Sequence, residues 1–176
     1  LYPHRRFRLS GFAAVARHVE RTHGVPARQV FRLLVRSSRG PGAGRELDAV
    51  AERFGITAPF GEWIRVYRGH VPSLRLPART LATLKRLRRS WRLGVVTNGI
   101  PEIQARKVAA LGLDRWTDTV VFASEWGSGE GKPDREPFME ALRRLDVGPG
   151  HALFVGDDPF CDVFGAMRCG LRTIQT

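Results

Sequence analysis

Four short runs after Pro77 constrain this chain more than any other feature: Leu93–Val96, Thr119–Ala123, Ala152–Val155 and Leu171–Gln175. The first three are apolar without polar alternation. A strand with one wet face alternates, whereas an unalternated strand asks for cover on both faces. Helical patterns over Thr80–Ser90, Glu102–Leu111, Glu136–Leu145 and Val163–Cys169 separate or precede these runs. Strands joined by helices of about ten residues form a parallel sheet sandwiched between helices, so the spacing predicts a Rossmann-like α/β fold over 77–176.

Residues 1–76 carry a different period. Phe7, Phe12, Val15, Ala16 and Val19 recur at helical spacing up to Gly24, and Val30, Phe31, Leu34 and Val35 follow Pro26 in the same way. Leu47, Val50, Ala51 and Phe54 predict a third helix ending near Gly55, and Trp63, Val66 and Tyr67 a fourth. Ser37–Gly44, rich in Gly, Ser and Pro, reads as a loop, and Val71–Pro77 as a linker. The expected organisation is an all-helical domain followed by an α/β domain.

In open parallel sheets, ligands bind beyond the carboxyl ends of the strands. The first run ends in Thr97-Asn98-Gly99, and Pro101 then opens a helix. A hydroxyl, an amide and free N–H groups there suit a phosphate, although the same string also serves as a capped turn. The second run leads to Gly131-Lys132-Pro133-Asp134; lysine occurs in the chain only at Lys85, Lys107 and Lys132. An ammonium on that loop can neutralise a phosphate and a neighbouring carboxylate, or it can be an ordinary solvated lysine. The third run opens into Gly156-Asp157-Asp158, with Asp162 four residues on. Clustered carboxylates repel and so point to a cation, against the alternative that Asp157 and Asp158 cap the next helix. Mg²⁺ fits such oxygen ligands and needs only one or two of them, because it keeps several waters.

Net charge is +12. That balance attracts polyanions at long range, but the basic run Lys85–Arg89 lies on the polar side of a Leu81, Leu84, Leu87, Trp91 stripe and lacks interleaved aromatics. Nucleic acid is therefore disfavoured as a partner. No apolar run reaches the length of a membrane span. Cys161 and Cys169 form no paired metal motif, and two unclustered cysteines suit reduced thiols and a cytoplasmic setting.

Taken together, these motifs resemble those of the haloacid dehalogenase-like hydrolases. Val95-Val96-Thr97-Asn98-Gly99 is similar to the family's second motif, Gly131-Lys132-Pro133-Asp134 to its third, and Gly156-Asp157-Asp158 through Asp162 to its fourth. The resemblance implies that Thr97, Asn98, Gly99 and Lys132 hold a phosphoryl group. It implies Mg²⁺ on Asp157, with Asp158 a further ligand and Asp162 a ligand or supporting acid, and it makes Thr97, Lys132 and Asp157 the catalytic residues. The helical domain is placed as the helical cap of one branch of the family. His4, Arg5 and Arg6, and more weakly Arg36 and Arg39, are candidates for substrate contact, with plain surface charge as the competing reading.

The family's first motif, Asp-x-Asp-x-Thr, does not occur in this sequence. The chain opens on Leu1-Tyr2, a pair similar to the one that follows that motif in many relatives, which leads to the expectation of a chain cut just after it. A central strand would then be missing, leaving unpaired backbone groups and poor stability. The expected function is a Mg²⁺-dependent phosphatase acting on a small phosphorylated metabolite through an aspartyl-phosphate, this chain lacking the nucleophile. Alternatives are a metal-free haloacid dehalogenase and a non-catalytic phosphate- or nucleotide-binding relative.

Overall fold

The computed structural model describes residues 2–39, 43–57 and 60–176; Leu1 and the middle of the Ser37–Gly44 loop lie outside them. The chain divides into two compact units, Leu1–Arg75 and Leu76–Thr176.

The first unit is helical: α1 (His4–His23), α2 (Ala27–Ser37), α3 (Glu46–Phe54) and α4 (Phe60–Gly69). Helix α1 packs against α2 and α4, and α2 against α3. Their apolar stripes close one core of Phe12, Val15, Ala16, Val19, Val30, Leu34, Val50 and Trp63. Gly24 ends α1 in the left-handed conformation (φ 69°), where its N–H bonds the Glu20 carbonyl, an arrangement that favours a residue without Cβ.

The second unit alternates α5 (Ala78–Leu87), β1 (Gly94–Thr97), α6 (Pro101–Leu111), β2 (Thr119–Phe122), α7 (Arg135–Leu145), β3 (Leu153–Gly156), α8 (Gly165–Arg168) and β4 (Arg172–Gln175). Strand β1 pairs in parallel with β2, Val95 opposite Val120, and β3 with β4, Phe154 opposite Thr173. Among the described residues these are two separate two-stranded sheets. The continuous sheet expected from the strand pattern is thus divided, and no further strand joins the two pairs among the described residues.

The cover expected on both faces is also incomplete. Helix α7 lies against β1 and β2, and its Phe138, 1% exposed, meets Phe154 of β3 edge-on with centroids 5.1 Å apart. Leu153 and Val155 point to the opposite face of the pleat and stay 41% and 55% exposed. Two helical expectations shift as well. Helix α5 ends at Leu87, leaving Trp91 beyond it and 51% exposed instead of in the buried stripe. The helix expected at Val163–Cys169 starts earlier, as a π-helical turn over Pro159–Phe164 running into α8, because Asp158 caps it from in front.

Candidate active site

Three loops converge at the carboxyl ends of β1 and β3. Thr97 closes β1, and its hydroxyl donates to Gln104 Oε1 at 3.2 Å. Asn98 is used on both sides of its amide: Nδ2 donates to the Lys132 carbonyl (2.9 Å), and Oδ1 accepts the Lys132 N–H (2.8 Å). This reciprocal pair fastens the loop after β1 to the loop that carries the lysine. Asn98 therefore positions Lys132, and its amide keeps a second Nδ2 hydrogen beyond this pair. Gly99 turns at φ 116°, and its carbonyl accepts the Ser124 hydroxyl at 3.0 Å. Gly131, at φ 84°, leaves room for this joint; a Cβ there would stand 2.8 Å from Asn98 Oδ1.

The Lys132 side chain is 10% exposed. Its ammonium donates to the Val96 carbonyl of β1 at 3.0 Å and to Asp162 Oδ1 at 2.6 Å, and it lies 5.6 Å from the centre of the Phe154 ring. An ammonium has three hydrogens, and the third has no partner among the described residues. Buried charges persist only when paired; here the pair is Asp162, itself 6% exposed. The other Asp162 oxygen accepts the N–H groups of Asp157 (3.2 Å) and Asp158 (3.3 Å). Gly156 is required beside it, because a Cβ would overlap the Asp162 carboxylate.

Asp158 is the cap that the sequence left open as one possibility. Its Oδ1 accepts from Cys161 N (2.6 Å) and Phe160 N (2.9 Å), and these backbone donors, Cys161 first, hold its carboxyl below the usual range. Asp134 is held low in the same way by the hydroxyl and N–H of Ser128, which close the loop in front of α7. Asp157 is exposed, and its carboxylate has no partner among the described residues.

Among the described residues, no three His, Cys, Asp or Glu side chains are grouped to hold a metal ion. Asp157 offers an unengaged carboxylate, the Asp158 carboxylate caps the following helix, and Asp162 is turned inward to fix the backbone of both. The structure so brings Asn98, Lys132 and Asp162 into one network, while Thr97 bonds Gln104, Gly99 bonds Ser124 and the Asp157 carboxylate stays unengaged. Sequence reasoning missed Gln104 and Ser124. Gln104 sits on the first turn of α6, and side chains there lean back over the helix start, which was the available signal.

Residues 13–170 match the family of haloacid dehalogenase-like hydrolases. The glyceraldehyde 3-phosphate phosphatase of Methanothermobacter thermautotrophicus is 32% identical over 94% of this chain and 78% of its own length. The phosphoserine phosphatase of Thermus thermophilus is 39% identical over 49% of this chain and 34% of its own. For that protein and the glyceraldehyde 3-phosphate phosphatases of Methanopyrus kandleri and Pyrococcus abyssi, the alignment spans 34%, 40% and 42% of the relative's length, so the chain matches well under half of each. In fold, a HAD phosphatase from Thermococcus onnurineus superposes with TM-score 0.57 at 23% identity, over 97% of this chain and 79% of that one. A HAD-hydrolase of Bacillus subtilis bound to magnesium superposes with TM-score 0.62 at 19% identity, over 94% and 79%. Among the described residues no helix is long and apolar enough to cross a membrane.

Proposed function

The chain belongs to the haloacid dehalogenase-like hydrolases, and on that premise we propose that its α/β unit binds the phosphoryl group of a small phosphorylated metabolite for Mg²⁺-dependent hydrolysis. One observation carries the reading: the Asn98 clamp and the Lys132–Asp162 pair tie three loops, distant in sequence, into a single corner at the carboxyl end of β1 that holds a buried ammonium. Phosphoryl transfer asks for charge neutralisation and alignment above all. In this reading the free Lys132 hydrogen meets a phosphoryl oxygen, and the backbone N–H groups after β1 orient the others, joined by the Thr97 hydroxyl once it turns from Gln104. Asp162 pairs with the Lys132 ammonium and holds it in place. Asp157, with Asp158 beside it, would hold Mg²⁺, which supplies compensation for the phosphoryl charge when bound.

The family's covalent step passes the phosphoryl group to an aspartate, giving an aspartyl-phosphate that water then hydrolyses. The Asp-x-Asp-x-Thr string for that step is not in this sequence, so the reading assigns the nucleophile to a segment outside it. The relatives named as phosphatases support a phosphate substrate over a haloacid, as does the acidic rim at Asp157. The test is to express the gene's whole reading frame and assay Mg²⁺-dependent phosphate release from an aryl phosphate, with Asp157→Ala and the 176-residue chain alongside. Activity abolished by EDTA and by Asp157→Ala is the expected result. A reading frame without Asp-x-Asp and without phosphate release would overturn it, in favour of a relative that binds phosphate without chemistry.

A further inference from the structure

The helical unit holds a second concentration of cationic side chains, unrelated to the motifs after Pro77. Helices α1 and α4 flank an open cleft of about 920 Å³, lined by Arg17 and Arg21 from α1 and Arg65 from α4, with Ala14, Val66 and Val71 among its apolar residues. None of the three guanidinium groups has an ion-pair or hydrogen-bond partner among the described residues. The same cleft carries two acids, Glu20, whose Oε1 accepts the Ala27 N–H at 2.9 Å, and Glu62, whose Oε1 lies 3.1 Å from His18 Nε2, so three guanidinium groups outnumber two carboxylates.

Arg17 and Arg21 are four residues apart on one helix, so their charges face the same way and repel each other slightly. Arg65 adds a third charge from across the cleft. Such an arrangement gains from any multivalent anion that enters it, and planar guanidinium forks match phosphate oxygens in pairs. The volume lies within the roughly 300–1,000 Å³ of small-molecule sites. We propose that the α1–α4 cleft binds a small multivalent phosphate anion, from pyrophosphate up to nucleotide size, through Arg17, Arg21 and Arg65.

The site needs neither Lys132 nor Asp157, so it stands or falls separately from the function proposed above. The experiment is calorimetric titration of the 176-residue chain with inorganic pyrophosphate and with ATP, at low ionic strength and with EDTA present. Binding should weaken at least about tenfold in Arg17→Gln/Arg65→Gln and measurably in Arg21→Gln alone. It should survive in Arg32→Gln/Arg36→Gln, which removes two arginines from the separate cleft lined by Phe31, Arg32, Val35, Arg36 and Arg39. All these arginines are exposed in helices or beside them, so the variants should keep the parent's circular dichroism. Three results would overturn the proposal: no binding at millimolar anion, equal loss from both arginine pairs, or no loss from Arg17→Gln/Arg65→Gln.

Discussion

Asp162 shows how one side chain can be read correctly in kind and still hide its working. As a carboxylate six residues into an acidic loop it suggested a metal ligand or supporting acid; in the structure it is buried, pairs with the Lys132 ammonium and receives two backbone N–H groups. Removing one member of a buried ion pair leaves the other charge desolvated and costs roughly 3–5 kcal/mol. Asp162→Asn keeps the shape and deletes the charge, so the urea midpoint should fall by a corresponding amount. An unchanged midpoint would mean that Lys132 finds water in solution and that the corner is not closed. The types of residue at this site were legible because strand ends collect ligands. Their hydrogen bonds were not, since the Asn98 amide could equally have faced a ligand, and only the approach of the loop at Gly131 commits it to the Lys132 backbone.

At the scale of elements, helices were legible almost to the residue wherever a Gly or Pro marked an end, as at Gly24, Gly55 and Pro101. The π-helical turn was not, because its start is decided by the Asp158 cap and not by apolar period. Nor was the way α7 is fastened to β2. Glu140, 6% exposed, receives Arg143 Nε (2.8 Å) and Arg144 Nε (2.6 Å), and Arg144 also donates to the Val120 carbonyl at 3.0 Å. These bonds, Arg143 first, draw the Glu140 carboxyl from its usual 4.5 down to about 2. A carboxyl whose folded value is depressed adds stability that is fully present above the unfolded value and is lost as pH falls towards the folded one. The chain should therefore lose stability between pH 4.5 and about 2, and Glu140→Gln should flatten that part of a plot of melting temperature against pH. A parallel, unflattened curve for the variant would show that Glu140 is not the group titrating.

For the whole molecule, the sequence announced an α/β fold with a helical unit, and the structure has both. What the pattern could not announce is that the strands form two pairs, because an unalternated run asks for cover without showing whether cover exists. The consequence lies on the surface of the second unit: Leu153, Val155, Phe160, Phe164, Met167 and Ile174 are between 41% and 60% exposed. Exposed apolar strands invite association, whereas a net charge of +12 opposes it by repulsion between copies. Salt screens the repulsion over about 10 Å at 0.1 M and leaves the apolar contact intact. The chain should accordingly sediment as a monomer at low salt and as larger species as salt rises, the reverse of an assembly held by ion pairs. Val155→Thr with Ile174→Thr keeps β-branched residues at both exposed strand positions. The pair should change stability by no more than about 0.5 kcal/mol per site while moving the onset of association to higher salt. If sedimentation velocity instead shows a monomer at every salt concentration, the apolar face of β3 and β4 is covered in solution and the two-pair arrangement would need revision.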